Sequence, residues 1–220
     1  MMQEKILVAH YVCRCYWARS RWRFFVVMGV NILVVGSERW QGFAFADVFR
    51  GVIQESGTFY TPFLWLFLML SPFIIAGTSM RQLVCGDYLR VHQVPLRTYG
   101  LTALALVLSS VWAPWLVWVA VSRSVQWVFA IEMGVTLSLL MAIYAISQCL
   151  VWPYWSLLGV LALLTATVGW NQMPLLSQLM SLRFGAEHTW QVGVVYAVMS
   201  VIVGGLFRML YRIDFVTEKG

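Results

Sequence analysis

The chain has 220 residues, of which 61% are hydrophobic and 11% charged, and its formal net charge is +6. So few polar side chains cannot cover a water-soluble globule of this size, which excludes an ordinary soluble domain and predicts an integral membrane protein. A helix that crosses a bilayer needs about 20 mainly apolar residues, so six such helices and their connections would use nearly the whole chain. We therefore predict an all-α membrane protein with six transmembrane helices.

The N-terminal segment, residues 1–23, mixes apolar side chains with five basic ones. This composition predicts an amphipathic interfacial helix whose basic residues meet anionic lipid headgroups. No small-residue cleavage site follows the first apolar run, so we expect the segment to be retained rather than removed as a signal peptide. Residues 24–220 are then expected to form a single six-helix transmembrane domain.

The six predicted spans follow in chain order as apolar runs separated by polar connections. They lie at about residues 22–35, 58–78, 100–121, 126–151, 155–170 and 191–210. Between the first two, the segment 37–57 predicts a short interfacial helix with one apolar face, made of Phe43, Phe45, Val48 and Phe49.

Two local signals refine this arrangement. Pro72 lies inside the second span, where its missing N–H predicts a bend. The turn at residues 152–154 is so short that spans four and five are expected to be antiparallel neighbours.

Basic residues are distributed unevenly among the connections. If the N-terminus is inside, eleven Lys and Arg fall on the cytoplasmic side and only four fall outside: Arg39, Arg50, Arg123 and Arg183. Because cytoplasmic connections retain an excess of Lys and Arg, we predict a multi-pass protein of the bacterial cytoplasmic membrane with both termini inside. The four cysteines then lie on the reducing side, so we expect no disulfide.

Motifs for catalysis or cofactor binding are missing. The sequence has no H-E-x-x-H, no P-loop and no acidic run that could hold Mg²⁺. The three histidines, His10, His92 and His188, fall outside the predicted spans, so a pair of axial haem ligands is not available there. We therefore expect no catalytic, cofactor or metal site in this chain and no enzyme activity of its own.

One acidic residue, Glu132, falls within a predicted span, in the second turn of the fourth. An intramembrane carboxylate is a candidate contact for cargo or for a partner helix. The alternative is a carboxylate near a helix N-terminus that reaches water, Arg123 or Arg183.

The connection between spans two and three reads CGDYLRVHQVPLRTYG. It resembles the corresponding segment of the ABC-2 family of ATP-binding-cassette (ABC) transporter permeases, where a Gly is followed nine residues later by a Pro and then by a polar or basic residue. Gly86, Pro95 and Arg97 match that arrangement. The apolar positions between them are supplied by Tyr88, Leu89, Val91 and Val94.

The order of elements along the whole chain also resembles that family. The resemblance implies that residues 79–99 form a cytoplasmic coupling helix that docks into a separate ABC ATPase subunit, and that residues 171–190 form outer re-entrant helices before the last span. The expected ATPase-coupling residues are Gly86, Tyr88, Leu89, Arg90, Val91, Pro95 and Arg97. A second permease copy or a paralogue would complete a dimer, with ATP and Mg²⁺ held by the ATPase and no cofactor in this chain.

The function that this resemblance implies is export of a hydrophobic or amphipathic substrate, either a peptide or a lipid-like compound, with no role for nucleic acid. An alternative is the six-helix substrate-binding subunit of a vitamin-type importer, for which Gln126, Asn171 and Gln172 offer polar groups on the outer side. A further alternative is a membrane assembly factor without transport activity. For residues 79–99 a plain solvated loop also stays open.

Overall fold

The computed structural model describes residues 2–52, 61–88, 96–122, 124–170, 176–184 and 189–210. Within these ranges the chain is all-helical and contains no strand, which confirms the predicted all-α class. The helices are α1 (Met2–Trp40), α2 (Phe45–Val48), α3 (Phe63–Ala76), α4 (Ser79–Arg81), α5 (Leu96–Val121), α6 (Trp127–Leu150), α7 (Pro153–Gly169) and α8 (Thr189–Leu210). A π-helical stretch, Gln82–Asp87, continues α4, and two 3-10 turns, Leu176–Leu179 and Ser181–Arg183, precede α8.

Three helical segments are long and apolar enough to cross a membrane: Phe63–Asp87, Thr98–Val121 and Trp127–Leu150. They coincide with the second, third and fourth spans predicted from the sequence. Two shorter apolar helices, Pro153–Gly169 and Tyr196–Arg208, lie where the fifth and sixth spans were predicted. The helices α6 and α7 are joined by one short turn and pack against each other, as the turn at 152–154 predicted.

The N-terminal segment and the first predicted span form one helix in the structure. We expected an interfacial helix to end near residue 23, whereas α1 continues from Met2 to Trp40 without a break. The reason lies in the sequence, because residues 2–28 contain no glycine or proline that would stop a helix. Buried side chains along α1, among them Val12 and Val35, belong to the core that α1 shares with α5.

The short helix predicted within residues 37–57 corresponds to α2. Phe45, Val48 and Phe49 are buried, whereas Phe43 stays exposed. The Phe49 ring packs against Trp118 of α5, with ring centroids 5.1 Å apart. The apolar stripe therefore anchors this connection on the helices.

Pro72 interrupts the backbone hydrogen bonding of α3 without ending the helix. Proline has no N–H, so the carbonyl of Leu68, four residues earlier, loses its usual donor. The Ser71 hydroxyl donates to that carbonyl at 2.8 Å. Because the carbonyl is satisfied, α3 continues past Pro72 and ends four residues later at Ala76, before Gly77.

A buried asparagine joins three helices in the middle of the fold. Asn31 of α1 lies in an otherwise apolar run and donates from Nδ2 to the Val27 carbonyl at 2.8 Å. Its Oδ1 accepts a hydrogen bond from Trp118 Nε1 of α5 at 2.7 Å and lies 3.4 Å from the Ser71 hydroxyl of α3, whose hydrogen is shared with the Leu68 carbonyl. Each polar group of Asn31 is therefore satisfied within the protein.

Two connections pack together at one end of the helices, and we call residues 41–52 and 176–184 the cap. The backbone N–H groups of Ser181 and Leu182 donate to the carbonyls of Phe49 and Arg50 at 2.9 and 3.2 Å. Trp65, near the start of α3, donates from Nε1 to the Leu179 carbonyl at 2.8 Å. These bonds hold the described part of the predicted re-entrant segment against the first connection.

Arg183 of the cap closes the C-terminal end of α7. Its guanidinium donates to the carbonyls of Thr167, Val168 and Trp170, and the last two bonds measure 3.1 and 3.3 Å. Carbonyls in the last turn of a helix have no intrahelical donor, and the helix dipole favours a cation there. Burial lowers the pKa of Arg183 from its ordinary value.

Candidate functional site

The helix that begins at Phe63 is broken at Gly77, at the end of the helices opposite the cap. Gly77 has φ +48°, a left-handed conformation that L side chains rarely adopt. The chain resumes as α4 at Ser79 and continues through the π-helical stretch to Asp87. A candidate membrane-spanning helix thus contains an interruption near one end, and such interruptions occur where the exposed backbone groups find partners in the protein.

The carbonyl freed at Gly77 has two donors on α6. The Tyr144 hydroxyl donates to it at 3.0 Å and Gln148 Nε2 donates at 2.6 Å. Gln148 is fully buried, and its Oε1 has no hydrogen-bond partner within the described part of the chain. The break in one helix is therefore held by side chains of another.

Arg23 of α1 closes the other side of the break. A Cβ atom on Gly77 would lie 1.4 Å from Arg23 Nη1, so glycine leaves the space that the guanidinium fills. Arg23 Nη2 also donates to the Ser79 hydroxyl at 3.3 Å and to the Arg19 carbonyl at 3.2 Å. Three helices thus meet at Gly77.

Arg19, one turn before Arg23, forms a bidentate ion pair with Asp87. One guanidinium nitrogen donates to Asp87 Oδ1 at 3.0 Å and the other to Oδ2. Asp87 is 4% exposed, so its charge is almost fully removed from water and depends on this partner. The hydrogen bonds to Asp87 raise the pKa of Arg19 from its ordinary value, so the guanidinium remains charged. We call the set formed by Arg19, Arg23, Gly77, Ser79, Asp87, Tyr144 and Gln148 the Gly77 cluster.

Two of the coupling residues predicted from the sequence flank Asp87. Gly86 lies exposed in the π-helical stretch, with nothing within 4 Å of a Cβ added there. Tyr88 packs against the buried Tyr99 of α5, with ring centroids 5.2 Å apart. The structure therefore brings Gly86 and Tyr88 next to the Gly77 cluster.

The other predicted coupling residues are not brought to this cluster by any described contact. Leu89, Arg90, Val91 and Pro95 lie outside the described residues. Arg97 belongs to the first turn of α5, and its side chain is likewise outside the description. The predicted connection between the second and third spans covered residues 79–99. Because helical structure reaches Asp87 and begins again at Leu96, the connection is shortened to residues 88–95.

Glu132 lies apart from the Gly77 cluster. It precedes Gln148 by sixteen residues on α6, about 24 Å along the axis at 1.5 Å per residue. Its carbonyl accepts a hydrogen bond from the Tyr196 hydroxyl at 3.2 Å, and that hydroxyl also bonds Thr136 at 2.9 Å. Within the described residues the Glu132 carboxylate has no ion pair, and Arg183, one of its two expected partners, bonds the carbonyls of α7 instead.

Near the Gly77 cluster, two cysteines from different helices meet. Cys85, in the π-helical stretch, and Cys149, in the last turn of α6, are close enough for their thiols to interact electrostatically, and the Cys149 thiol donates to the Ala145 carbonyl at 3.9 Å. Beside them the Arg81 guanidinium lies 5.4 Å from the ring centroid of Trp152. All four cysteines of the chain are free thiols in the structure.

The cluster links three parts of the fold. It joins α1, α6 and the segment that follows α3 through one ion pair and several further hydrogen bonds. Among the described residues, no group of three or more His, Cys, Asp and Glu side chains could hold a metal ion.

Most of the cluster was not identified from the sequence. Arg19 and Arg23 were assigned to lipid headgroups, and Asp87, Tyr144 and Gln148 were given no role. The sequence offered two signals: Gln148, near the end of the fourth predicted span, and Gly77, near the end of the second. Polar side chains and helix breaks are costly in a membrane, so both positions could have been singled out. Comparisons with known protein families, with curated proteins and with solved structures found no match.

Proposed function

We propose that this chain is the membrane-spanning permease subunit of an ABC exporter of the ABC-2 type, which uses ATP hydrolysis by a separate ATPase subunit to move a hydrophobic or amphipathic substrate out of a bacterial cell. The substrate is a peptide or a lipid-like compound. In this proposal the chain forms six spans, has both termini inside and pairs with a second permease copy or paralogue. The resemblance around Gly86, Pro95 and Arg97 is its starting point.

The observation that carries the proposal is the bidentate bond between Arg19 and Asp87. Asp87 lies two residues before residues 89–95, which contain most of the proposed ATPase contacts. Because the buried carboxylate holds Arg19, a displacement of this connection must move α1 as well. A subunit without an ATPase site of its own needs such a mechanical link to an external motor.

The break at Gly77 provides a hinge for that mechanical link. The segment 79–87 is separated from α3 by a residue with positive φ and is held to α6 through the Gly77 carbonyl. In our proposal, closure of the ATPase dimer pushes on residues 88–95, and the segment rotates at Gly77 relative to α3. Hinges of this kind absorb backbone changes over a few residues.

The distribution of basic residues supports the orientation. The end of the helices that contains the Gly77 cluster also contains Arg14, Arg19, Arg21 and Arg23, whereas the described part of the opposite end contains Arg39, Arg50 and Arg183. An excess of arginine at one end is typical of the cytoplasmic side. The Gly77 cluster and the connection after it would then face the compartment that supplies ATP.

Site-specific photocrosslinking in membranes of the native host tests the proposal. A benzophenone amino acid at Arg90 should crosslink to a protein that mass spectrometry identifies as a P-loop ATPase. The same amino acid at Trp40, which is 93% exposed at the opposite end of α1, is the matched control and should give no such product. If Arg90 yields no ATPase, or if a cysteine at residue 92 reacts only with reagents added outside the cell, the proposal fails.

A further inference from the structure

A groove on the surface between α1 and α5 has a volume of about 200 Å³. Its α1 side is formed by Tyr16, Trp17 and Phe24, and its α5 side by Ser109, Ser110 and Ala113. It lies outside the Gly77 cluster and has no part in the transport proposal.

The lining of the groove is suited to a hydrocarbon chain. The Ser109 and Ser110 hydroxyls donate to the carbonyls of Leu106 and Val107, both at 2.6 Å, so their hydrogens are already used within α5. On the opposite wall the rings of Trp17 and Phe24 pack together with centroids 5.5 Å apart. A groove with aromatic walls and satisfied serine hydroxyls favours an apolar occupant, and the buried Tyr16 hydroxyl has no hydrogen-bond partner within the described part of the chain.

The four arginines at residues 14–23 divide into two pairs. Arg19 and Arg23 are engaged within the protein, with Asp87 and with Ser79. Arg14 and Arg21 are exposed, and neither has an ion pair or hydrogen bond within the described part of the chain. The division follows helical geometry, because the two pairs lie on different sides of α1.

Arg14 and Arg21 do not line the groove, but helical geometry places them beside Trp17, which does. They are separated by seven residues, two helical turns, and lie three residues before and four residues after Trp17, so all three share one side of α1. Where α1 passes beside the apolar α5, exposed guanidinium groups are costly unless an anion meets them. The groove thus combines an apolar slot with two positive charges on the Trp17 side of α1.

We propose that this groove binds one anionic phospholipid of the surrounding bilayer, with an acyl chain between α1 and α5 and the phosphate held by Arg14 and Arg21. The two guanidinium groups supply the charge complementarity, and the aromatic wall and α5 supply the apolar contact. The binding site is independent of whether the chain transports a substrate.

Photolabelling in proteoliposomes tests this site. Phosphatidylglycerol with a diazirine in its acyl chain should label peptides of α1 and α5 that line the groove, and the phosphatidylcholine analogue should label them several-fold less. Replacing Arg14 and Arg21 by Gln should reduce labelling by phosphatidylglycerol by about fivefold for each arginine, the effect of one basic residue near an anionic surface. The matched control is Arg208→Gln, an exposed arginine on α8, which should leave labelling unchanged.

Ser109→Phe provides a second variant, since an added ring at this exposed position would fill the groove and should reduce labelling by both analogues. The arginine variants keep the test valid if Ser109→Phe does not fold. Equal labelling by the two analogues, or labelling that the double Arg variant does not change, would overturn the proposal. So would crosslinking of Cys13, which lines the groove, to Cys13 of a second copy by a short bismaleimide, because a second copy would then cover it.

Discussion

Trp118 donates a 2.7 Å hydrogen bond from its indole Nε1 to Oδ1 of Asn31, 87 residues earlier in the chain. Both residues are fully buried. The bond fixes the register between α1 and α5, because an indole N–H in an apolar interior has no other acceptor within reach unless the helices shift. The remaining surfaces of the two helices are mostly apolar and would pack in several registers, whereas this hydrogen bond forms in only one of them.

We expect Asn31→Val to lower the free energy of unfolding by about 1–3 kcal/mol, since it leaves the buried Trp118 N–H without an acceptor. Thermal unfolding in detergent, followed by tryptophan fluorescence, measures the change. The double variant Asn31→Val with Trp118→Phe removes both partners and should recover part of the loss. If the double variant loses more free energy of unfolding than the two single variants lose together, the hydrogen bond is not the cause.

Gly77→Ala should destabilise the protein by about 1–3 kcal/mol, because the positive φ strains any L residue and the added Cβ displaces Arg23. The matched control is Gly29→Ala on α1, where nothing lies within 4 Å of the added Cβ and alanine is favoured by helix propensity. The control should unfold at the same temperature as the wild type or higher. Equal melting temperatures for the two variants would contradict the interpretation of the break.

Arg19→Gln should be more damaging than Asp87→Asn, although both remove the same ion pair. The first leaves a buried carboxylate without its partner, whereas the second leaves a guanidinium that is one-third exposed and can be hydrated. Limited proteolysis and thermal unfolding of both variants in the same detergent give the order. The reverse order would mean that Asp87 is hydrated in solution rather than dependent on Arg19.

Mild oxidation with copper phenanthroline should join Cys85 and Cys149 within one chain, since the two thiols lie near enough to each other to interact electrostatically. Each thiol loses a proton and an electron, and Cu(II) is reduced. Mass spectrometry of the digested protein should detect the linked peptides, and Cys149→Ser should abolish them. Cys13 and Cys15 serve as an internal comparison, because residues two apart on a helix do not face each other. Failure to link Cys85 while Cys13 and Cys15 become linked would contradict the packing of the π-helical stretch against α6.

The apolar spans could be predicted from the sequence because hydrophobic length is a local property. Three segments each contain an apolar run long enough to cross a bilayer, a length that helices of soluble proteins do not require: Phe63–Asp87, Thr98–Val121 and Trp127–Leu150. The extent of α1 was predicted less well, because its arginines suggested an interfacial segment whereas the lack of a glycine or proline in residues 2–28 allowed one continuous helix.

The candidate site depended on relationships that a single sequence does not contain. Pro72 was the visible disruption in the second span, but Ser71 satisfies the carbonyl that Pro72 leaves free, and the break falls at Gly77 instead. The partnership of Arg19 with Asp87 joins residues 68 apart. No periodicity or spacing rule indicates which of several arginines will pair with the buried carboxylate of Asp87, so this contact required the fold.

The cap has a consequence for the biogenesis of the protein. The Ser181 hydroxyl bonds the Ala46 carbonyl 135 residues earlier, and the neighbouring backbone bonds join residues just as distant. During translation the first connection emerges long before its partner exists, so the Ala46 carbonyl must stay hydrated while the 135 residues up to Ser181 are made. Formation of the cap is therefore a late event in assembly. A ribosome stalled before residue 176 would leave a nascent chain in which the first connection has no partner.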